Sequence, residues 1–298
     1  MFRARYIAHA NVNTVDISRA ERFYVSVLGL RTVGVVASEH EQDGAPFGLN
    51  GQKVRWRGRI LADGRGLKGP VLDLLEWLSP PTDKPSGTDS NRRGLRALKF
   101  VADDIGHVFA ALKEWDRPAR LCNEIRGGVI NEFVMTSDLD GTSLEISQGY
   151  VAPRFESIRV ACENLKNSVT FYERSLHFMH DEPTEYSVVC EGKVIEDGRA
   201  TRVYLPGQRE KSWLSLTETS GASAIPARKS NTAGLYRMAI LVDDIQAARA
   251  DLEKSLPTVE RQHRIYLGEQ FNFVDAIFFR DPDGSVLEYL VGPQVHSK

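Results

Sequence analysis

The sequence predicts an α+β protein in which four βαβββ units form two similar domains, each with a U-shaped mixed sheet around a concave pocket. Three pairs of matching segments occur in the same order in the two halves of the 298-residue chain. Three matches in one order indicate an internal duplication. A single unit of this size cannot bury its own sheet face, so we expect the units to pair.

The first pair predicts that units 1 and 3 open with an apolar strand, a polar cap and an amphipathic helix. Residues 11–30 (NVNTVDISRAERFYVSVLGL) align without a gap with residues 159–178 (RVACENLKNSVTFYERSLHF), which lie 148 positions later. Asp16 falls on Asn164 in this alignment. Both residue types favour the N-cap of a helix, because their side chains accept hydrogen bonds from its first backbone N–H groups.

The second and third pairs predict the start and the end of units 2 and 4. Residues 98–105 (LKFVADDI) match residues 238–245 (MAILVDDI), and in both a strand runs into an Asp-Asp helix cap. Residues 138–141 (DLDG) match residues 281–284 (DPDG), and a strand pattern follows each. Asp and Gly tolerate tight-turn geometry, so these tetrapeptides predict the turn before each last strand.

The four predicted units cover about residues 5–80, 94–149, 154–219 and 234–292. We expect two domains, at residues 1–150 and 151–298. Stretches rich in Pro, Ser and Gly at 79–93 and 219–233, and a short join at 150–154, predict inter-unit linkers. The order of the units leaves their pairing open. Neighbouring units share a sheet, or unit 1 shares a sheet with unit 4.

Composition argues against several classes of protein. The formal net charge is −2, so the chain has no overall positive field for nucleic acid or an anionic membrane. No apolar run reaches the ~20 residues of a membrane-spanning helix, and we find no secretory signal. The widely spaced Cys122, Cys162 and Cys190 predict free buried thiols in a reducing cytoplasm. We expect a cytoplasmic monomer or homodimer whose partner is a small molecule.

The segment from His9 through Phe23 and Tyr24 to Leu30, with the closing turn at residues 281–284 and Glu288, resembles the vicinal oxygen chelate superfamily. Glyoxalase I, extradiol ring-cleaving dioxygenases and bleomycin resistance proteins belong to it. The resemblance implies two glyoxalase-like domains. It also implies one divalent metal ion (Fe, Mn, Ni or Zn), held at the start of the first strand and the end of the last strand of two units. One fold hosts many chemistries, so the reaction is less defined than the fold.

In the first half, the metal positions that the resemblance implies fall on His9, Asp73, Ala97 and Glu145. His9, Asp73 and Glu145 are therefore the predicted metal ligands, since one imidazole and two carboxylates suit a divalent ion. Glu145 is also the predicted catalytic residue, because a carboxylate released from the metal can move a proton. Ala97 cannot coordinate, so a chain without a metal fits these positions as well.

In the second half, the matching positions fall on Ser157, Ser215, Arg237 and Glu288. A guanidinium is a fixed cation that pairs with carboxylates, so we expect Arg237 to replace the ion and neutralise Glu288. Alternatively, Arg237 faces outward. If unit 1 shares a sheet with unit 4, the common site contains His9, Asp73, Arg237 and Glu288 instead.

Alternating arginines add candidate substrate contacts. Arg55, Arg57 and Arg59 share one face of a predicted strand. If that face is concave, Arg55 and Arg57 join Arg237 and Glu288 as substrate-binding residues, because guanidinium groups bind carboxylate and phosphate. If the face is convex, the run is a solvated surface.

The sequence leaves two main functions and a third. The first is a metal-dependent enzyme that acts on a small oxygen-rich organic substrate through a metal-stabilised oxyanion. Lyase or isomerase chemistry is favoured over a dioxygenase reaction, because neither half offers the two histidines of the dioxygenases that the chain resembles. The alternative is a metal-free protein that sequesters a small aromatic or antibiotic molecule, which Ala97, Ser157 and Arg237 favour. The third is metal-free catalysis in a pocket lined by Arg and Glu.

Overall fold

The computed structural model describes residues 3–38, 40–84, 92–149, 153–219 and 228–292. The middle of each predicted linker lies outside these ranges. Across the described part of the chain, no helix is long and apolar enough to cross a membrane.

The predicted α+β class and its four units are confirmed. Unit 1 contains β1 (Ala4–Asn13), α1 (Ile17–Leu28), β2 (Arg31–Ala37), β3 (Gln42–Asp43), β4 (Lys53–Ala62) and β5 (Val71–Ser79). Unit 2 contains β6 (Gly94–Ala102), α2 (Ile105–Glu114), β7 (Arg120–Arg126), β8 (Val129–Ser137) and β9 (Ser143–Gln148). Unit 3 contains β10 (Arg154–Cys162), α3 (Leu165–Leu176), β11 (Met179–His180), β12 (Thr184–Cys190), β13 (Lys193–Tyr204) and β14 (Trp213–Thr219). Unit 4 contains β15 (Gly234–Val242), α4 (Ile245–Leu252), β16 (His263–Tyr266), β17 (Phe273–Arg280) and β18 (Val286–Val291).

Each of the four α-helices in the described residues begins at the cap residue that the sequence predicts. The side chains at the N-cap positions accept hydrogen bonds from backbone N–H groups in the first turn; these residues are Asp16, Asp104, Asn164 and Asp244. Behind each cap, apolar helix residues join one large core with apolar residues of both sheets. The helices therefore cover one face of each sheet and leave the opposite, concave face for the sites.

The sheets pair unit 1 with unit 4 and unit 2 with unit 3. Sheet 1 has the strand order β16-β17-β18-β15-β1-β5-β4-β2, with β3 beside β4. Sheet 2 contains the strands of units 2 and 3, and β6 and β10 are its central antiparallel neighbours. Each sequence half thus supplies one unit to each sheet. The predicted boundary near residue 150 separates two repeats of the sequence rather than two sheets, because the short join there places β10 directly against unit 2.

Sheet 2 is closed into a barrel. Of its nine strands, all but β11 form a ring, because β12 pairs with β7 and β13 pairs with β14. A barrel of about eight strands has an interior wide enough for side chains or one small ligand. The predicted U shape therefore describes sheet 1, whereas sheet 2 goes further and closes.

Two of the three predicted free thiols are instead joined in a disulfide. Cys122 on β7 and Cys190 on β12 are register partners in the pairing that closes the barrel, and their Cα atoms are 4.3 Å apart. Cys162 is free and buried, as predicted. The sequence prediction failed because two cysteines 68 positions apart come together only through the pairing of units 2 and 3.

One buried tyrosine–aspartate pair connects the two sheets within each sequence half. Tyr24 of α1 donates to Asp138 in the turn before β9 at 2.7 Å, and Tyr172 of α3 donates to Asp281 before β18 at 2.9 Å. The same aspartates accept hydrogen bonds from backbone N–H groups of their own turns. Burial nevertheless raises the pKa of Asp138 and of Asp281 to about 6.

We predict that these two carboxyls make stability fall with rising pH. Their pKa is about 6 in the folded chain against an ordinary 3.8, so the folded state holds their protons more tightly. This stabilisation is complete below the unfolded pKa and is lost as the pH rises through about 6. Urea unfolding at about pH 4.5 and about pH 7 should show a smaller loss for Asp138→Asn/Asp281→Asn than for the parent chain. Equal losses in both proteins would contradict the assignment.

Candidate functional site

The alternative four-residue site forms on the concave face of sheet 1. His9 of β1, Asp73 of β5, Arg237 of β15 and Glu288 of β18 lie together, because β1 has β15 on one side and β5 on the other. The His9 Nε2 atom is 3.8 Å from Asp73 Oδ2 and 3.5 Å from Glu288 Oε2. Two residues come from unit 1 and two from unit 4, so neither sequence half holds this site alone.

Arg237 lies between the two carboxylates of this site. Its Nε atom is 2.9 Å from Glu288 Oε2, and its Nη2 atom is 3.5 Å from Asp73 Oδ2. Burial would raise the pKa of Glu288, but the charge of Arg237 and the contact with His9 outweigh it and lower that pKa. Burial raises the pKa of Asp73, and His9 and Arg237 only partly offset it. The predicted pairing of Arg237 with Glu288 is present, whereas the replacement of an ion by Arg237 stays a prediction.

The metal ion of the superfamily does not fit this arrangement. A ligand must offer a lone pair, whereas Arg237 brings a positive charge into contact with both carboxylates that a metal would need. Among the residues that the structure describes, no group of three or more His, Cys, Asp or Glu side chains is arranged to hold a metal ion.

Aromatic side chains fill the rest of the concave face of sheet 1. Phe47, in the turn after β3, packs against Trp56, Trp77 and Phe278 with ring centroids 5.2, 5.3 and 6.0 Å away. The guanidinium of Arg237 lies over Phe278 at 5.7 Å. Such packing excludes water and strengthens the ion pairs of Arg237. Trp56 and Trp77 are therefore core residues.

The predicted metal set of His9, Asp73 and Glu145 does not come together. Glu145 lies on β9 in sheet 2, whereas His9 and Asp73 lie in sheet 1. The physical reason is the unit pairing, which places Glu145 beside unit 3 instead of unit 1. The predicted proton transfer by Glu145 required a metal ion shared with His9 and Asp73. It stays a prediction, and these two residues do not lie beside Glu145.

Glu145 instead contacts a buried arginine that the sequence analysis missed. Arg159 of β10 has 1% of its surface exposed, and its Nη2 atom lies 2.8 Å from Glu145 Oε1. Its Nη1 atom donates to Glu196 Oε2 of β13 at 3.0 Å. Burial opposes the charge on Arg159, but Glu145 and the other nearby acidic groups raise its pKa. Glu145 and Glu288 each lie on the last strand of their unit, and we call them the closing glutamates. Sheet 2, like sheet 1, thus has an arginine in contact with its closing glutamate.

The arginine that contacts the closing glutamate comes from a different kind of unit in each sheet. The two central strands are β1 and β15 in sheet 1, and β6 and β10 in sheet 2. In sheet 1, Arg237 of unit 4 is the register partner of Asn11. In sheet 2, Arg159 of unit 3 is the register partner of Ala97 of unit 2. Arg159 aligns with Asn11 in the repeat, and Ala97 aligns with Arg237. Each central pair therefore supplies one guanidinium next to the closing glutamate, although different repeats provide it.

A charged network extends through the interior of the barrel. Lys99 contacts both Glu124 and Glu145, and Arg126 lies 3.4 Å from Glu124 Oε1. Burial alone would raise the pKa of Glu124, but Lys99, Arg159 and Arg126 outweigh it and lower the pKa to about 2. The network supplies Glu124 and Glu145 with cations.

A cavity of about 580 Å³ reaches the inner end of this network. Arginines and acids in its wall are Arg92, Arg96, Arg120, Arg159, Arg228, Asp140, Glu145 and Glu196. The remaining wall is mostly apolar or small: Leu95, Ala97, Pro118, Met135, Ile195, Leu235, Ser137 and Ser143. Pockets for small ligands have volumes of ~300–1,000 Å³. The cavity therefore has the size and mixed lining of a small-molecule site.

The prediction that Arg55 and Arg57 contact a substrate is wrong, because these residues do not lie on the concave face. Both side chains are exposed, while their neighbours Val54 and Trp56 point into the concave cluster of sheet 1. Arg57 forms a two-bond ion pair with Glu76, at 2.9 and 3.0 Å. Strand alternation puts the arginines on the solvated convex face.

Comparison with known proteins agrees with the fold. The sequence profile of the Glyoxalase/Bleomycin resistance protein/Dioxygenase superfamily matches residues 154–289. Glyoxalase I from Zea mays is similar in structure with a TM-score of 0.69 and 15% identity, over 98% of this chain and 92% of that one. A candidate dioxygenase from Bacillus subtilis subsp. subtilis str. 168 has a TM-score of 0.65 and 16% identity, over 98% and 87% of the two chains.

No curated protein matches the sequence. At 15% and 16% identity, the two structural likenesses show the fold and not the reaction. Residues 154–289 match the profile of the Glyoxalase/Bleomycin resistance protein/Dioxygenase superfamily, and the whole chain is similar in fold to glyoxalase I from Zea mays.

Proposed function

We propose that this chain binds a small organic molecule in the cavity of sheet 2 without the help of a metal ion. The observation that carries the proposal is the buried arginine at each closing glutamate, Arg237 at Glu288 and Arg159 at Glu145. Each guanidinium is permanently charged and satisfies the carboxylate that a metal would otherwise bind.

In this proposal, the concave face of sheet 1 stabilises the fold and the cavity of sheet 2 binds the ligand. The concave face of sheet 1 is packed by Phe47, Trp56 and their neighbours, so its ion pairs serve the stability of the fold. The barrel of sheet 2 keeps a cavity at the matching place, and Ala97 and Glu145 at two of the four family positions line it. The cavity, rather than the His9 site, is therefore the better place for a ligand.

A metal-dependent lyase or isomerase has less support from this geometry. Its three ligands were His9, Asp73 and Glu145, and these residues lie in two different sheets. In sheet 2 the family positions other than Glu145 are Ala97, Ser157 and Ser215, which offer no imidazole or carboxylate. Binding proteins and enzymes share the superfamily name, and the arginines favour the binding class.

We predict that binding survives a chelator and requires the cavity. A panel of benzoate, benzamide and catechol, screened by thermal shift and titration calorimetry in excess EDTA, should contain a molecule that raises the melting temperature, because a ligand that binds only the folded state stabilises it. Ala97→Phe fills the cavity wall and should abolish that shift. Ala97→Gly perturbs the same strand without filling the cavity and should retain it.

Two experimental results would count against binding in this cavity without a metal ion. Binding that disappears in EDTA and returns with Fe, Mn, Ni or Zn would contradict the proposal. Binding that Ala97→Phe leaves unchanged would show that the ligand occupies another place.

A further inference from the structure

The cavity wall is positive although the chain as a whole is slightly negative. Five arginines and three carboxylates line it, whereas the formal net charge of the chain is −2. Wall cations that are concentrated in a pocket with apolar walls focus a positive potential there, because the walls screen charge poorly. This local field favours an anionic ligand over a neutral one.

The three carboxylates of the wall already have partners. Glu196 contacts Arg96 at 3.4 Å and Arg159 at 3.0 Å, and Glu145 contacts Arg159 at 2.8 Å. Asp140 accepts a hydrogen bond from Thr14 at 2.5 Å. Each wall acid therefore already has a partner within the protein.

Two arginines of the wall keep donors for a ligand. Arg159 is buried, and its Nε atom has no hydrogen-bond partner among the described residues. Arg120, at the exposed start of β7, contacts the sulfur of Met135 at 3.4 Å, which is a weak neutral acceptor. Both residues lie on strands of the barrel, so the scaffold holds them at the inner end and at the rim of one cavity.

We infer that the ligand is a small organic acid whose carboxylate is held by the cavity arginines. Guanidinium groups bind carboxylates through short, charge-assisted hydrogen bonds. Leu95, Met135 and Ile195 offer apolar surface to the body of such a molecule, and Ser143 adds a hydroxyl next to Glu145. The inference rests on the proposed function and names the chemical class of its ligand.

The test compares benzoate with benzamide, its neutral counterpart of nearly the same shape, on the full chain in EDTA. Benzoate should bind about tenfold or more tightly, because a charged hydrogen-bond pair is lost with the amide. Its affinity should fall by a similar factor in Arg120→Met, which changes a rim residue and leaves the buried network intact. Arg55→Met removes an exposed arginine from the convex face of sheet 1 and should leave the affinity unchanged.

The outcomes separate this inference from the proposed function. Benzamide that binds as well as benzoate, and is blocked by Ala97→Phe, would overturn the organic-acid inference and leave the cavity as a metal-free site. An equal loss in Arg120→Met and Arg55→Met would also overturn it, because a general charge effect would then explain the binding. If neither molecule binds at any attainable concentration, both proposals fail.

Discussion

Arg159→Met is expected to lower the free energy of unfolding by about 3–5 kcal/mol, the range for breaking a buried ion pair by removing one partner. Arg159 is 1% exposed and contacts Glu145 and Glu196, so its loss leaves two buried carboxylates without their shared cation. Methionine keeps much of the side-chain volume, so a cavity contributes little to the loss. Chemical denaturation that follows the fluorescence of the folded chain would measure the effect.

The double variant Arg159→Met/Glu145→Gln provides the control. Glutamine removes one of the two stranded charges and should recover a large part of the lost stability. A single variant as stable as the parent chain would show that Arg159 does not neutralise these acids. A double variant no more stable than the single one would assign the loss to packing instead of charge.

Arg237→Met is expected to produce a loss of the same order, about 3–5 kcal/mol, in sheet 1. Arg237 is 7% exposed and contacts Glu288 and Asp73, which are buried as well. An unpaired Glu288 can lower its energy by taking up a proton, so burial should raise its pKa in the variant. The loss should therefore be larger near neutral pH than in mild acid, which urea unfolding at both conditions can measure.

Arg237→Met/Glu288→Gln is the matched control, because it removes the same pair of charges as the control in sheet 2. A loss that does not depend on pH would contradict an electrostatic role for Arg237. Unchanged stability would mean that Arg237 faces outward, the alternative that the sequence left open.

The sequence predicted the repeated units well because their signals are local. The caps Asp16 and Asp244, and the turns at residues 138–141 and 281–284, each act within a few positions of the chain. Such signals depend on backbone geometry alone, so they can be read without knowing which units touch. They could not reveal the pairing of units, which depends on contacts between distant segments.

Charge balance is a signal that could have selected the observed pairing. If neighbouring units shared a sheet, units 3 and 4 would bring Arg159 and Arg237 together with Glu196 and Glu288. Units 1 and 2 would then leave Asp73 and Glu145 without an arginine, and Lys99 would be the cation beside Glu145. The observed pairing gives each closing glutamate one arginine. Buried charges require partners, so this arrangement is the favourable one.

The disulfide and the cavity could not be predicted from the sequence. The contact between Cys122 and Cys190 depends on the register of β7 against β12, which no local pattern encodes. The cavity depends on which concave face the chain fills with its own side chains. Phe47 packs into the concave face of sheet 1 from the turn after β3, and the residues of that turn do not predict this packing.

The metal content of the purified chain shows whether Arg237 stands in for a metal ion, because a guanidinium and a divalent cation cannot both serve the same carboxylates. Purified and dialysed protein should hold no stoichiometric Fe, Mn, Ni or Zn, and crystals soaked with these ions should give no anomalous peak beside His9, Asp73 and Glu288. One full equivalent of metal bound between these three side chains, with Arg237 displaced, would contradict this prediction.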